Sequence, residues 1–457
     1  MPVKVAVLGR GISGLAAAHF LSKAGHQVVS IDPEERPGGL IRSERIDGYL
    51  CETGPQALLN GPAETRALVA GAGLEARVVP ASASARRRFI HTRGQLHPLP
   101  LHPVALARTR LLGWRGKLRL LREPFIRNQP ADPDESVLAF GARRFGEETA
   151  RALLAPAVIG IYAGDAAQLS ARSALPRLWR FEQTHGSVVR GALAQRRAGG
   201  GFGRAISFPD GLQELARALD PPPGPRRIVA RATRIARSGD GWRVELAGGL
   251  PAVEAAALVV AIPARAAAEL LDPLAPAAAA GLRAIPTAPA AVVCLGFRDA
   301  AIGVDLRGYG FLVAREAATT TTAAAARTDA GRAPVLGCQY ESSIFPGRAP
   351  AGAVLLRAIL GGTFDPTIVD ESDESITALT VADLRRLAGL SRAPDFVRIW
   401  RHREGIPQYL IGHAARVAGI DAALTQHPGL HLLGHALRGV GLNDCIAAAA
   451  ALVSQIP

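Results

Sequence analysis

Short apolar runs, each stopped by glycine, proline or a polar residue, recur along the chain and read as strands. Residues 5–8 are uninterrupted Val-Ala-Val-Leu, the pattern of a strand buried on both faces. Residues 15–24 read as a helix, and residues 27–31 as a second strand that ends on Asp32. Further on, residues 228–235 and 242–246 read as strands, and residues 258–262 as a buried strand stopped by Pro263. Strand-like runs follow at 290–297 and 353–360, and residues 430–433 run into Gly434. Residues 208–212 open a short helix, and residues 445–452 form one that Asp444 can cap.

The first strand leads directly into Gly9-Arg10-Gly11-Ile12-Ser13-Gly14, and Asp32 lies eighteen positions after Gly14. Strand, glycine turn, helix, strand and acid form the dinucleotide-binding βαβ unit. Gly9 permits the tight turn, Gly11 lets backbone approach a pyrophosphate, and Gly14 lets the helix pack on the strand. Ile12 and Ser13, inside the glycine turn, are expected cofactor contacts too, and the N-terminus of the helix that follows offers free N–H groups to phosphate. Asp32 is suited to a ribose. A second glycine turn, Arg36-Pro37-Gly38-Gly39, and then Gly54-Pro55 lie just beyond. A nicotinamide cofactor has no stated need for them, whereas the longer FAD does, so FAD is expected ahead of NAD.

The expected fold class is α/β (α+β overall). It comprises a Rossmann-like FAD-binding domain assembled from separated segments, a substrate domain with a mixed sheet, and a helical insert. The boundaries read as 1–94, 206–264 and 396–457 for the FAD-binding segments, 95–205 for the insert and 265–395 for the substrate domain. Residues 317–326, an Ala/Thr tract, read as a loop without chemistry.

At 457 residues the chain has room for two or three domains. Its formal net charge of +14 points either to an anionic partner or to an arginine-rich composition alone. Aromatics are 5 % of residues and no nucleic-acid motif is present, so nucleic acid is not an expected partner. Cys51, Cys294, Cys338 and Cys445 are far apart and match no metal or redox spacing, so no metal is expected. Free thiols, no signal-peptide pattern and no apolar stretch of about 18 residues lead to an expectation of a cytoplasmic chain that does not span a membrane.

Over nearly its whole length the chain resembles the protoporphyrinogen oxidases of the monoamine oxidase-like flavoprotein superfamily. The specific segments are Gly160-Ile161-Tyr162-Ala163-Gly164-Asp165 with Leu169-Ser170, residues 208–212, Gly405-Ile406-Pro407-Gln408-Tyr409 with Gly412-His413, and residues 439–446. The resemblance implies six-electron oxidation of protoporphyrinogen IX in haem synthesis, with hydride passing to FAD N5 and O2 reoxidising it to give H2O2. It implies that the Gly160 carbonyl faces pyrrole N–H groups, and that Leu312, Leu336 and Leu356 clamp the macrocycle. It also implies that Trp400, Gly434 and the turn Val440-Gly441-Leu442 contact FAD. No residue is certain to be catalytic, which fits chemistry carried by the cofactor.

The chain departs from the family in four places, at His97, Gln56, His435 and Arg10, the last a position that is commonly small. His97 stands where many members carry a propionate-binding arginine, leaving His97, Arg93 or solvent to serve the propionate. Gln56 follows Gly54-Pro55 where asparagine is usual, and His435 follows Gly434 where asparagine is usual. Arg10 either approaches the FAD pyrophosphate or faces water. Three alternative functions stay open: a coproporphyrinogen III oxidase, an amine oxidase or desaturase on the same scaffold, and a flavin-containing porphyrin carrier. So do a homodimer and a contact with ferrochelatase. Leu111, Trp114, Leu118, Leu121 and Phe125 fall at helical spacing opposite Arg108, Arg115, Arg119 and Arg122. That pattern suits either a helix lying on an anionic membrane or one packed on its own domain.

Overall fold

The structure is a computed structural model that describes residues 2–126, 134–197, 199, 203–315 and 334–456. The Ala/Thr tract lies outside the described residues, as does part of the glycine run that closes the insert.

Five parallel strands form the first sheet, in the order Arg227–Val229, Gln27–Asp32, Lys4–Leu8, Ala257–Val260 and Leu430–Leu432. Helices Ile12–Lys23, Ala63–Gly71, Gln213–Leu219 and Leu442–Leu452 cover one face, packing Leu15, Leu68, Leu215 and Ile446 on Val5 and Val7. The other face carries a three-stranded antiparallel sheet and the helices Ala264–Leu271, Pro276–Arg283 and His413–Leu424, with Trp242 fully buried among them. The strands are continuously apolar because both faces are covered.

The second sheet has seven strands, in the order Phe396–Pro407, Thr287–Phe297, Val354–Gly361, Val335–Gln339, Gly310–Val313, Arg88–Thr92 and Gln95–Pro98. All neighbours are antiparallel except Gly310–Val313 with Arg88–Thr92. This corrects three expected boundaries. Residues 88–98 form a hairpin of this sheet, so a cut at 94/95 passes through its turn. The strand Phe396–Pro407 also belongs here and not to the cofactor domain. Residues 265–285 pack on the cofactor sheet instead. One face of the seven-stranded sheet buries Val293, Leu295, Phe311, Leu356 and Leu360 under the helix Asp373–Ala388, through Ile376 and Leu384. The other face looks toward the first sheet and the helical module.

That module, residues 103–197, holds the expected amphipathic segment, which is not one helix. The first helix, Pro103–Arg108, ends at Thr109 in extended backbone (φ −63°, ψ 144°), and the second, Trp114–Leu121, starts after Gly113 (φ −69°, ψ 171°). Leu111 is buried between them. The second helix is anchored through its polar side. Glu148 accepts from the Gly113 N–H at 2.7 Å, and Arg119 donates to the carbonyls of Arg143 and Arg144. The turn that follows is fixed by a fully buried Glu123–Arg144 ion pair. Burial pushes the Glu123 carboxyl up. Hydrogen bonds from Ser187, Arg144 and the Val188 and Val189 N–H groups outweigh that and hold it below the usual range. The apolar side is thereby turned outward: Trp114 is 67 % and Phe125 80 % exposed, beside exposed Leu101, Val104, Leu118 and Leu121. Among the described residues no helix is long and apolar enough to cross a membrane.

Candidate functional site

The glycine cradle is built by close backbone approach. A side chain on Gly14 would lie 1.9 Å from the Gly9 carbonyl oxygen, and one on Gly9 (φ +99°) 2.5 Å from the Ala261 oxygen. These two glycines therefore seat the helix on the strand. Gly11 differs, because nothing of the protein lies within 4 Å of where its Cβ would be. It is the N-cap of the helix Ile12–Lys23, with no side-chain cap and no acid in the first turn, so the terminal N–H groups stay available. Ile12 and Ser13 are buried behind them. The second glycine turn closes over the first. The Gly38 N–H donates to the Arg10 carbonyl at 2.7 Å, and a Cβ on Gly39 would sit 3.3 Å from the Gly11 Cα. Gly54 and Pro55 continue this wall, with Gly54 so close to Leu40 that a Cβ would meet its carbonyl at 2.2 Å.

Side chains brace this backbone. Asp32 accepts from the N–H groups of Arg10 (2.6 Å) and Glu34 (2.8 Å), fixing its carboxylate at the cradle mouth. Arg36 donates to the carbonyls of Ile41 and Gly39, each at 2.8 Å, so it holds the turn's shape from behind. Arg10 settles an open alternative in neither expected way. Its buried guanidinium grips Asp220 through two 2.8 Å bonds and donates to the Glu34 and Glu35 carbonyls, away from both phosphate and water.

At the carboxyl ends of the strands Ala257–Val260 and Leu430–Leu432, a shallow pocket is lined by Ile262, Pro263, Leu433, Gly434 and His435. Ligands of open α/β sheets bind at such strand ends. Gly434 (φ +142°) leaves its Cβ direction open, and burial pushes the His435 imidazole below its usual range. The turn Val440-Gly441-Leu442 leads into the last helix, which starts at Leu442 and not at Cys445. Asp444 is therefore in its first turn, where its carboxylate accepts from the Gly441 N–H at 3.2 Å. Tyr409, stacked on His413 with ring centroids 3.9 Å apart, clips this region. Its hydroxyl donates to the His435 carbonyl (2.6 Å) and accepts from the Gly439 N–H (2.7 Å). An open Cβ direction at Gly11 and Gly434, an uncapped helix N-terminus and a fixed acid at the mouth together fit FAD, and the residues named above would hold it.

The expected substrate contacts sort by sheet face. Paired positions run straight across the seven strands: His97, Ile90, Leu312, Gly337, Ile359, Val292 and Trp400. Paired residues share a face, and this row looks away from the core beneath the helix Asp373–Ala388. Opposite it ends the helix Ala155–Tyr162. A Cβ on its Gly160 would touch Leu312 at 2.9 Å, and Leu336 packs with Ile159 and Ala163. Gly160 is thus the seat of a close helix–sheet approach in the last helical turn, not a tight turn. Its carbonyl is among the last four, which have no partner within a helix. Leu356 is on the other face, buried with Ile376 and Leu384, so it does not join this wall; Ile359 takes that place. Arg88 was not expected from the sequence. It is exposed, one row from His97 on the same face, with its guanidinium over the Tyr309 ring. Its strand position was hidden by the neighbouring run of arginines.

The comparisons agree with this geometry. The family described as flavin containing amine oxidoreductase matches residues 12–456. The chain is 29 % identical to the coproporphyrinogen III oxidase of Bacillus subtilis (strain 168), covering 99 % of this chain and 97 % of that protein. It is 32 % identical to the protoporphyrinogen oxidase of Homo sapiens, covering 97 % and 96 %. A solved structure from Exiguobacterium sp. 255-15, provisionally assigned as a protoporphyrinogen oxidase, superposes with a TM-score of 0.79 at 26 % identity, over 99 % and 98 % of the two chains. The Rossmann-type cradle, the second sheet beside it and these matches define an FAD-dependent oxidoreductase. The chain belongs to the flavin-containing amine oxidoreductase family.

The cradle separates two kinds of glycine. Gly14→Ala, which forces a backbone clash, should leave little folded protein. Gly11→Ala should fold with an apoprotein melting temperature near wild type, yet bind FAD about tenfold or more weakly, read by flavin-to-protein absorbance and titration. Equal FAD affinity in Gly11→Ala would remove this turn from the cofactor site.

Proposed function

We propose that this enzyme oxidises a porphyrinogen to the porphyrin, with protoporphyrinogen IX as the substrate and O2 as the terminal acceptor, giving H2O2. When bound, FAD supplies the hydride acceptor at N5. The observation that carries the reading is the mostly apolar row from Ile90 through Leu312, Gly337 and Ile359, set against the helix end at Gly160. Such a wall orients a broad apolar ring, and positioning is what hydride removal from a methylene bridge needs. The Gly160 carbonyl, at the negative end of a helix, suits the ring's pyrrole N–H donors. Arg88 and His97 border the same wall at one side and suit a propionate; of the two, Arg88 carries the permanent charge.

A second reading has its own support. The Bacillus subtilis relative, which matches almost end to end, is a coproporphyrinogen III oxidase. Its substrate carries four carboxylates, whereas basic side chains border the wall at one side here. Rates on the two porphyrinogens, followed by porphyrin fluorescence above the air-oxidation background, decide between them. Protoporphyrinogen IX should turn over at least about tenfold faster in kcat/KM. Arg88→Ala should raise KM several-fold with a smaller change in kcat. A ratio reversed toward coproporphyrinogen, with both rates clearly above air, selects the second reading.

We further propose that the enzyme is cytoplasmic and rests peripherally on an anionic membrane through Leu101, Val104, Trp114, Leu118, Leu121 and Phe125. What supports this is an exposed apolar patch interspersed with exposed Arg108, Arg110, Arg115 and Arg122. In flotation at low salt the protein should rise with anionic vesicles and not with neutral ones. The triple substitution Trp114→Ser, Leu121→Ser and Phe125→Ser should abolish this without lowering the melting temperature. No co-flotation of wild type at low salt would end this proposal.

A further inference from the structure

The three consecutive carbonyls of Glu52, Thr53 and Gly54, in the turn that leads to Pro55, all accept hydrogen bonds from side chains of the seven-stranded sheet. Arg357 supplies two of them. Its Nε donates to the Glu52 oxygen at 2.9 Å and its Nη2 to the Gly54 oxygen. Nε and Nη2 form one edge of the guanidinium, so one rigid plane grips alternate carbonyls of the turn. His402 lies against the Thr53 oxygen at 2.7 Å through Nε2, and burial pushes its imidazole below its usual range, favouring a neutral donor. The remaining edge of Arg357 is held by Gln339, which accepts from Nη1 at 2.5 Å, with the Glu341 carboxylate 4.0 Å away. Gln56, the departure from the family's usual asparagine, is buried against Tyr309 (2.5 Å) and within reach of Gln339 and Glu341. Burial raises both the Glu341 and the Glu52 carboxyls, while Arg348, 3.0 Å from Glu52, draws the latter down.

The placement of this clamp matters more than its strength. On the FAD side, Gly54 touches the Leu40 carbonyl, and the neighbouring Gly39 touches Gly11 at the pyrophosphate cradle. On the substrate side, Arg357 is two residues from Ile359 on the same strand and face, and Ile359 belongs to the apolar wall. We propose that Arg357, with Gln339 holding its far edge, is a positioning residue that sets the FAD-facing turn against the substrate wall. A change at Arg357 shifts both components relative to each other. The inference rests on FAD binding in this cradle and not on which porphyrinogen is oxidised.

The test uses the holoenzyme carrying Arg357→Met, Arg357→Lys or Gln339→Met. FAD affinity, the visible flavin spectrum and the melting temperature are measured for each, together with KM and kcat. Arg357→Met should bind FAD about tenfold more weakly and lose vibronic structure in the flavin band. Arg357→Lys, which keeps the charge but not the planar fork, should recover only part of it. Gln339→Met should shift the same readouts in the same direction but less. A lowered melting temperature with unchanged FAD affinity and spectrum would make Arg357 a structural residue only and overturn the proposal. Should Arg357→Met fail to fold, unchanged FAD affinity and flavin spectrum in both Arg357→Lys and Gln339→Met would overturn it equally.

Discussion

A pleated strand gives each side chain one of two faces, and in the seven-stranded sheet that choice divides core from site. Along Val354–Gly361, Leu356 and Leu360 close the core beneath the helix Asp373–Ala388. Leu355, Arg357 and Ile359 point the other way, toward Tyr49 and Cys51, the Glu52–Gly54 turn and the substrate wall respectively. The pairing carries one row across all seven strands, past an irregularity at Val335–Gly337, which is how His97 and Trp400, at opposite edges, come to share it. Six strand spacings of about 4.8 Å make that row about 29 Å long. It is long enough for the helix end at Gly160 to pack at one part and the cofactor-domain turn at another.

The two halves of the site meet through backbone and not through catalytic side chains. In the first sheet, glycines remove the atoms that would keep helix, strand and turns apart. In the second, arginine and histidine side chains reach across to hold the carbonyls of a cofactor-domain turn. Charged groups such as Arg10, Arg36, Glu52 and Arg348 are buried or half-buried in bracing roles, each with named partners. That arrangement suits a reaction in which bound FAD carries the electrons and the protein's task is placement.

The cradle was legible in the sequence because its determinants are local: Gly9, Gly11, Gly14 and Asp32 lie within one βαβ unit, and spacing alone reveals them. The fold class was legible for the same reason. The substrate wall was not. Apart from Arg357, residues 354–361 are apolar on both sides because both are covered, so no alternation marks which leucine faces the site, and Leu356 was expected where Ile359 stands. The hairpin 88–98 pairs with a strand more than 200 residues later, a contact no local pattern announces. Arg10 was ambiguous because its partner, Asp220, is 210 positions away. The amphipathic segment reads as one two-sided helix, whereas it is two helices: Leu111 turns inward, and Trp114, Leu118, Leu121 and Phe125 stay exposed beside Arg108, Arg115 and Arg122.

The central claim is that substrate meets FAD on the Ile359 face of the seven-stranded sheet. Rapid mixing of anaerobic Ile359→Trp holoenzyme with porphyrinogen tests it directly. The account predicts a retained flavin with a normal spectrum, reduced at least about tenfold more slowly than in wild type because the ring can no longer seat against the wall. Flavin reduction at the wild-type rate would contradict it.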